Sequence, residues 1–128
     1  MAKLCLNSRD ELIIVNLDKV ACIQANGNYT NIIYIDGLKV MFSIGLSKME
    51  ELIKTDYPKN HPSPFVRMGR SLIINQTYLI RINILKQQMV LSDFGNHHYT
   101  LTIPKQLLKA YRDMIRNNYN HLQNIEIK

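Results

Sequence analysis

Three short stretches of this sequence carry side chains able to grip an anion or read a hydrogen-bonding edge. The first lies in FVRMGRSLIIN, Phe65 to Asn75, where Arg67 and Arg70 flank Gly69 among apolar residues. Arginine's planar fork takes guanine O6 and N7 bidentately, or clamps one phosphate. The plainer reading is a pair of exposed strand arginines with salt-bridge partners, but no acid occurs between Asp56 and Asp93 to supply them. Alternation puts Val66, Met68, Leu72 and Ile74 on one face and Phe65, Arg67 and Gly69 on the other. Arg70 then falls on the apolar face, unless a bulge at Gly69 turns it outward.

The second stretch is NGNYTN, Asn26 to Asn31. Asparagine donates and accepts together, which suits adenine's edge in a major groove. Asn and Gly are equally common as plain turn formers, and Tyr29 reads as core or rim packing. The third comprises Lys105, Lys109 and Arg112. Their spacing of four and three puts them on one helical side, either a phosphate-facing edge or a solvated face. Lys105, in a first turn, opposes the helix dipole, which tilts it toward function.

No catalytic constellation accompanies them. There is no GxSxG elbow, no HExxH and no phosphate-cradling glycine loop. His97 and His98 are adjacent, so on a strand they face opposite ways and hold no common metal. His61 and His121 lack a Cys or His at ligand spacing and read as surface histidines, and Asp93 reads as a turn residue. Cys5 and Cys22 read as buried, reduced thiols in apolar runs. The chain is read as a non-enzyme without cofactor or metal.

The scaffold behind these stretches is a single domain over residues 1–117, with a tail over 118–128 that shows little periodicity. At 128 residues, with 46% apolar and 20% charged side chains, the chain can bury a real core. The net charge of +6 is uneven. Through Tyr57 there are six Lys/Arg against seven Asp/Glu, and from Pro58 onward ten against three. Such asymmetry suggests an anionic partner. Neither a signal peptide nor an apolar run of membrane-spanning length is visible, so a cytoplasmic protein without membrane insertion is expected.

Punctuation by turn residues gives the elements. Lys3–Leu6, Leu12–Val15, Val20–Ala25, Thr30–Ile35 and Leu38–Phe42 read as strands of a meander, with hairpin signals at Asn26-Gly27 and Asp36-Gly37. Ser47 and Glu50 match a capping box that opens a helix with Leu46, Met49, Leu52 and Ile53 on one face, plugging an end of the sheet. The loop TDYPKNHPSP ends it. Phe65–Ile74, Thr77–Ile84, Met89–Leu91 and His98–Ile103 follow as strands, with a turn at Ser92–Asn96. Pro104 suits the first position of a helix whose stripe is Leu107, Leu108, Tyr111 and Ile115. The fold class is therefore mainly β, with two short α-helices.

Taken in order, QANGNYTNI, GLSKMEEL, FVRMGRSLIIN and TIPKQLLKAY resemble the LytTR DNA-binding domain, from about Val15 to Ile115. The resemblance implies an elongated set of antiparallel β-sheets and a bacterial transcription regulator that puts loops, not a recognition helix, into successive major grooves of double-stranded DNA. It implies base-reading positions near Thr30 or Asn31, at Arg70 and at Lys105, and phosphate or scaffold roles for Arg67 and Asn28. Lys109 joins the DNA-binding set as a phosphate-facing cation. Gln24, Gly69, Pro104 and Lys105 depart from residues common in the family: glutamate, histidine, serine and arginine respectively. Relatives often follow a receiver domain, and too few residues precede the match to encode one. A stand-alone regulator is expected, binding repeated half-sites as two copies, with any signalling partner a separate molecule. The rival readings are a protein-interaction module that has lost DNA binding, and a single-strand binder, for which aromatic stacking platforms are few.

Overall fold

The computed structural model describes residues 2–118 and 125–127. Its centre is a five-stranded antiparallel sheet in the order β5-β4-β3-β7-β6, built from β3 (Val20–Asn26), β4 (Tyr29–Tyr34), β5 (Lys39–Phe42), β6 (Phe65–Met68) and β7 (Leu72–Asn75). Flanking it are the hairpin of β1 (Lys3–Asn7) and β2 (Leu12–Asn16), and a three-stranded sheet of β8 (Leu79–Asn83), β9 (Gln88–Ser92) and β10 (His98–Thr102). The helices are α1 (Leu46–Asp56) and α2 (Lys105–Asn118). Mainly antiparallel β with two helices is the class expected from the sequence.

The central sheet is covered on both faces, which is why β3 and β7 are apolar along almost their whole length. Cys22, Ile33, Leu72 and Ile74 face a core completed by Met89, Leu91 and Leu101 of the three-stranded sheet and by Leu108 and Tyr111 of α2. Ile23, Ile32, Ile73 and Phe42 face the opposite core, with Leu6, Val15 and Leu17 and with Leu46, Met49 and Ile53 of α1. Each large side chain buried this completely contributes roughly 1.5–3 kcal/mol. The α1 helix thus lies against a face of the sheet instead of plugging its end. Asn75, buried between strand and turn, donates from Nδ2 to the Val20 carbonyl at 2.9 Å and accepts the Thr77 N–H at 3.0 Å.

Four local expectations are corrected. Phe65–Ile74 is not one bulged strand but two, closed as a hairpin with Met68 opposite Leu72 and Phe65 opposite Asn75. The Thr77–Ile84 strand is preceded by a 3-10 turn over Gln76–Tyr78 and begins only at Leu79. The capping box does not form: α1 starts at Leu46 with Gly45 as its cap, no side chain caps it, and Glu50 turns away to Arg67. Pro104 stands just before α2 and accepts the Leu108 N–H at 3.1 Å, so it is the cap and not the first helical residue.

Among the described residues no helix is long and apolar enough to cross a membrane, and no group of three or more His, Cys, Asp or Glu is placed to hold a metal. His97 lies in the turn before β10, not on a strand, and its Nδ1 meets Asp93 Oδ2 at 2.9 Å. His121, and most of the tail 118–128, fall outside the described residues.

Candidate nucleic-acid interface

Strand order alone makes neighbours of two of the three stretches. The β3–β4 hairpin closes on Asn26 opposite Tyr29, leaving Gly27 and Asn28 as its tip. Gly27 has φ +62° and Asn28 does not share a positive φ, the signs of a Gly-first II′ turn and not of a I′ turn. On the other side β3 pairs with β7, Gln24 opposite Leu72. One step further, the Ala25 N–H donates to the Ser71 carbonyl at 2.9 Å. The β6–β7 tip, Gly69-Arg70-Ser71, therefore lies at the same end of the sheet as the Gly27–Asn28 tip and beside it, since β3 and β7 are neighbouring strands.

The third stretch arrives through packing. Gly69 has φ +70°, and a Cβ built there would stand 3.0 Å from Leu107 Cδ1. The first turn of α2, carrying exposed Lys105, is thereby seated against the Arg70 tip, and Lys109 follows one turn on. Arg112 is turned toward its own neighbour: its Nε and Nη2 both lie 3.1 Å from Asp113 Oδ1.

Around Arg70 the backbone is held by Arg67. Its Nε donates to the Gly69 carbonyl and its Nη2 to the Arg70 carbonyl, both at 2.9 Å. Its Nη1 donates to Glu50 Oε1 at 3.0 Å, with Ser47 Oγ at 3.4 Å. The acid missing from the local sequence is supplied from 17 residues away. Lys54 Nζ shares Glu50 at 3.6 Å. Arg70 itself projects from an exposed loop and, like Lys105 and Lys109, has no salt-bridge partner among the described residues.

Asn26, Gly27, Asn28 and Tyr29 are exposed, Tyr29 by 47%, so its packing is at most that of a rim. Thr30 departs from the expected base-reading position. It is fully buried, on the same face as Ile32, and its hydroxyl has no partner among the described residues. Asn31 faces the other way, half-buried between Gln24 and Met41 in register.

A fourth loop escaped the sequence reading. The β8–β9 turn ends at Gln87, φ +54°, whose carbonyl accepts the Ile103 N–H at 3.0 Å. Exposed Lys86 is thus beside the start of α2. The short LKQQ gap between two strand-like runs was the available signal. None of the four loops carries an acid.

Such a set of cation- and amide-bearing loops suits contact with a polyanion. A model of the LytTr DNA-binding domain matches residues 10–116. Among solved structures, the chain resembles the LytTr DNA-binding domain of a protein described as a methyl-accepting/DNA response regulator from Bacillus cereus. Identity is 21% and the TM-score 0.58, over 90% of this chain and 97% of that one, a likeness of fold. No curated protein matches. On the family match across most of its length, the chain belongs to the LytTR family of DNA-binding domains, a family of DNA binders and not of enzymes.

Proposed function

We propose that the protein is a cytoplasmic transcription regulator that binds double-stranded DNA sequence-specifically, inserting loops into the major groove, with two copies on repeated half-sites. The observation that carries this reading is the convergence of the Gly27–Asn28 tip, the Arg70 tip and the start of α2, with no acid on any of them. Arg70 is the base reader, its fork matched to guanine O6 and N7. Asn28 and Asn31 supply amide contacts, Lys105 reads or grips at the helix start, and Lys109 meets phosphate. Thr30 has no contact role here, since its side chain is interior.

Selection of bound duplexes from a random pool, followed by titration at two salt concentrations, tests the reading. Lys105 and Lys109, each neutralising one phosphate, give a slope of about −1.8 per copy, or about a 12-fold loss of affinity between 50 and 200 mM salt. Arg70→Ala should cost roughly 1–3 kcal/mol on the selected site and relax preference at one base pair. A uniform loss on all duplexes would make Arg70 a phosphate contact. Negligible affinity at either salt concentration would replace DNA binding by the protein-interaction reading.

A further inference from the structure

We infer that Arg67 is a positioning residue: it clamps both peptide groups flanking the Arg70 Cα, with Glu50 as the anchor, and does not itself contact DNA. The inference rests on the proposed role of Arg70 but is tested separately from it.

The geometry is specific to arginine. The Gly69 carbonyl belongs to the peptide entering Arg70 and the Arg70 carbonyl to the peptide leaving it. Nε and Nη2 take one each at 2.9 Å. Fixing both peptide planes fixes φ and ψ of Arg70, and hence the direction in which its side chain leaves the tip. A guanidinium has five N–H donors, and four acceptors surround this one: the two carbonyls, Glu50 Oε1 and Ser47 Oγ. Little donor capacity is left for a phosphate. Arg67 and Glu50 are also only 23% and 28% exposed, and the pair is formally neutral, so Arg67 adds little to the field that draws a polyanion. Behind the tip, Leu107 closes the space at Gly69. The loop is therefore held by Arg67 and backed by α2. Lysine at position 67, with one ammonium and no fork, cannot span two carbonyls and a carboxylate.

Binding is measured to a pool-selected duplex and to random duplex across a salt series, for wild type, Arg67→Ala, Arg67→Lys, Glu50→Gln, Arg70→Ala and the Arg67→Ala/Arg70→Ala pair. The clamp predicts that Arg67→Ala and Arg67→Lys each lose a substantial part of the about 5- to 150-fold discrimination carried by Arg70. In Arg67→Lys, which keeps the charge, affinity for random duplex should stay unchanged, and the salt slope should stay unchanged in both. The double variant should be no worse than Arg70→Ala alone. A phosphate-contacting Arg67 predicts otherwise: a slope shallower by about 0.9, an additive double variant, and tighter binding in Glu50→Gln as the cation is released. Those results would overturn the inference.

Backbone order parameters and amide exchange at Gly69, Arg70 and Ser71 in free protein give a readout without DNA. Arg67→Lys, the variant safer for folding, should loosen those three residues while the strands stay protected. An unchanged tip in Arg67→Lys refutes the clamp. A loosened tip in a protein that binds no duplex supports the clamp and removes the DNA reading.

Discussion

Gly69 is where backbone, packing and candidate contact meet, and Gly69→Ala is the most informative single change. At φ +70° an L-residue costs about 1–2 kcal/mol, of which the stiffer unfolded chain returns about 0.4–1 kcal/mol. The new methyl would also stand 3.0 Å from Leu107 Cδ1. Pushing Leu107 off its rotamer adds about 0.5–1.5 kcal/mol. The net loss is about 0.5–3 kcal/mol, read as a lower urea midpoint at constant m. The control is Gly27→Ala, with φ +62° but nothing within 4 Å of its Cβ. It carries the backbone cost without the steric one. Gly69→Ala should therefore exceed Gly27→Ala by about 0.5–1.5 kcal/mol, and Leu107→Ala should recover that excess in a double-mutant cycle. Equal losses at the two glycines, or an additive cycle, would show that α2 is not seated on the Arg70 tip. The convergence of the three stretches would then lose its physical basis.

Three further outcomes follow from individual groups. Thr30→Val removes a buried hydroxyl without a partner and should stabilise the fold by about 1 kcal/mol with DNA affinity unchanged; a loss in thermal unfolding would show that the hydroxyl is satisfied after all. Burial pushes the Cys22 thiol up to about 12, with Lys39 opposing, whereas Cys5, expected to be buried, is exposed on the β1–β2 hairpin. A thiol reagent near neutral pH should modify Cys5 quickly and Cys22 only on unfolding, and fast reaction of both would contradict the packing of β3. The Asp93 carboxyl lies below its ordinary 3.8, held by the His97 ring first and then by the Gly95 and His97 N–H groups. Its stabilisation of the 93–97 turn is complete above that ordinary value and vanishes as pH falls through the folded pKa. Protection of the His97 amide, relative to its intrinsic exchange rate at each pH, should fall in acid, and Asp93→Asn should flatten that dependence.

The elements of the first half were legible because their turns carry Asn-Gly and Asp-Gly, and because β-branched runs of the right length separate them. The β6–β7 hairpin was hidden for a geometric reason. Its loop has three residues, so Met68 and Leu72 are four positions apart and the period-2 pattern runs through the turn without a change of phase. Periodicity cannot detect a turn that preserves parity. Glu50 was misassigned for a different reason. Its spacing from Ser47 satisfies a capping box, but a guanidinium brought in by the sheet is the stronger partner, and nothing within a local window records it. Thr30 was legible and passed over. Alternation with Ile32 already puts it on a core face.

The Glu50–Arg67 pair also changes what the uneven charge means. The basic half supplies β6 through α2, the acidic half supplies α1, and the fold joins one cation of the first to one acid of the second. Leaving aside Arg70, the base reader, and Arg112, turned to Asp113, the sequence clusters hold Arg67, Lys105 and Lys109, three cations and a salt slope of about −2.7 per copy; with Arg67 engaged, two remain and about −1.8. Lys86, beside the start of α2, would restore the steeper value if it reaches phosphate. The two sources separate cleanly. Lys86→Ala returns the slope to about −1.8 if that loop is in contact, and Arg67→Ala leaves it where it was. A slope that falls with Arg67→Ala and not with Lys86→Ala would mean that Arg67 abandons Glu50 on binding, and the tip that carries Arg70 would then be organised by the DNA and not by the protein.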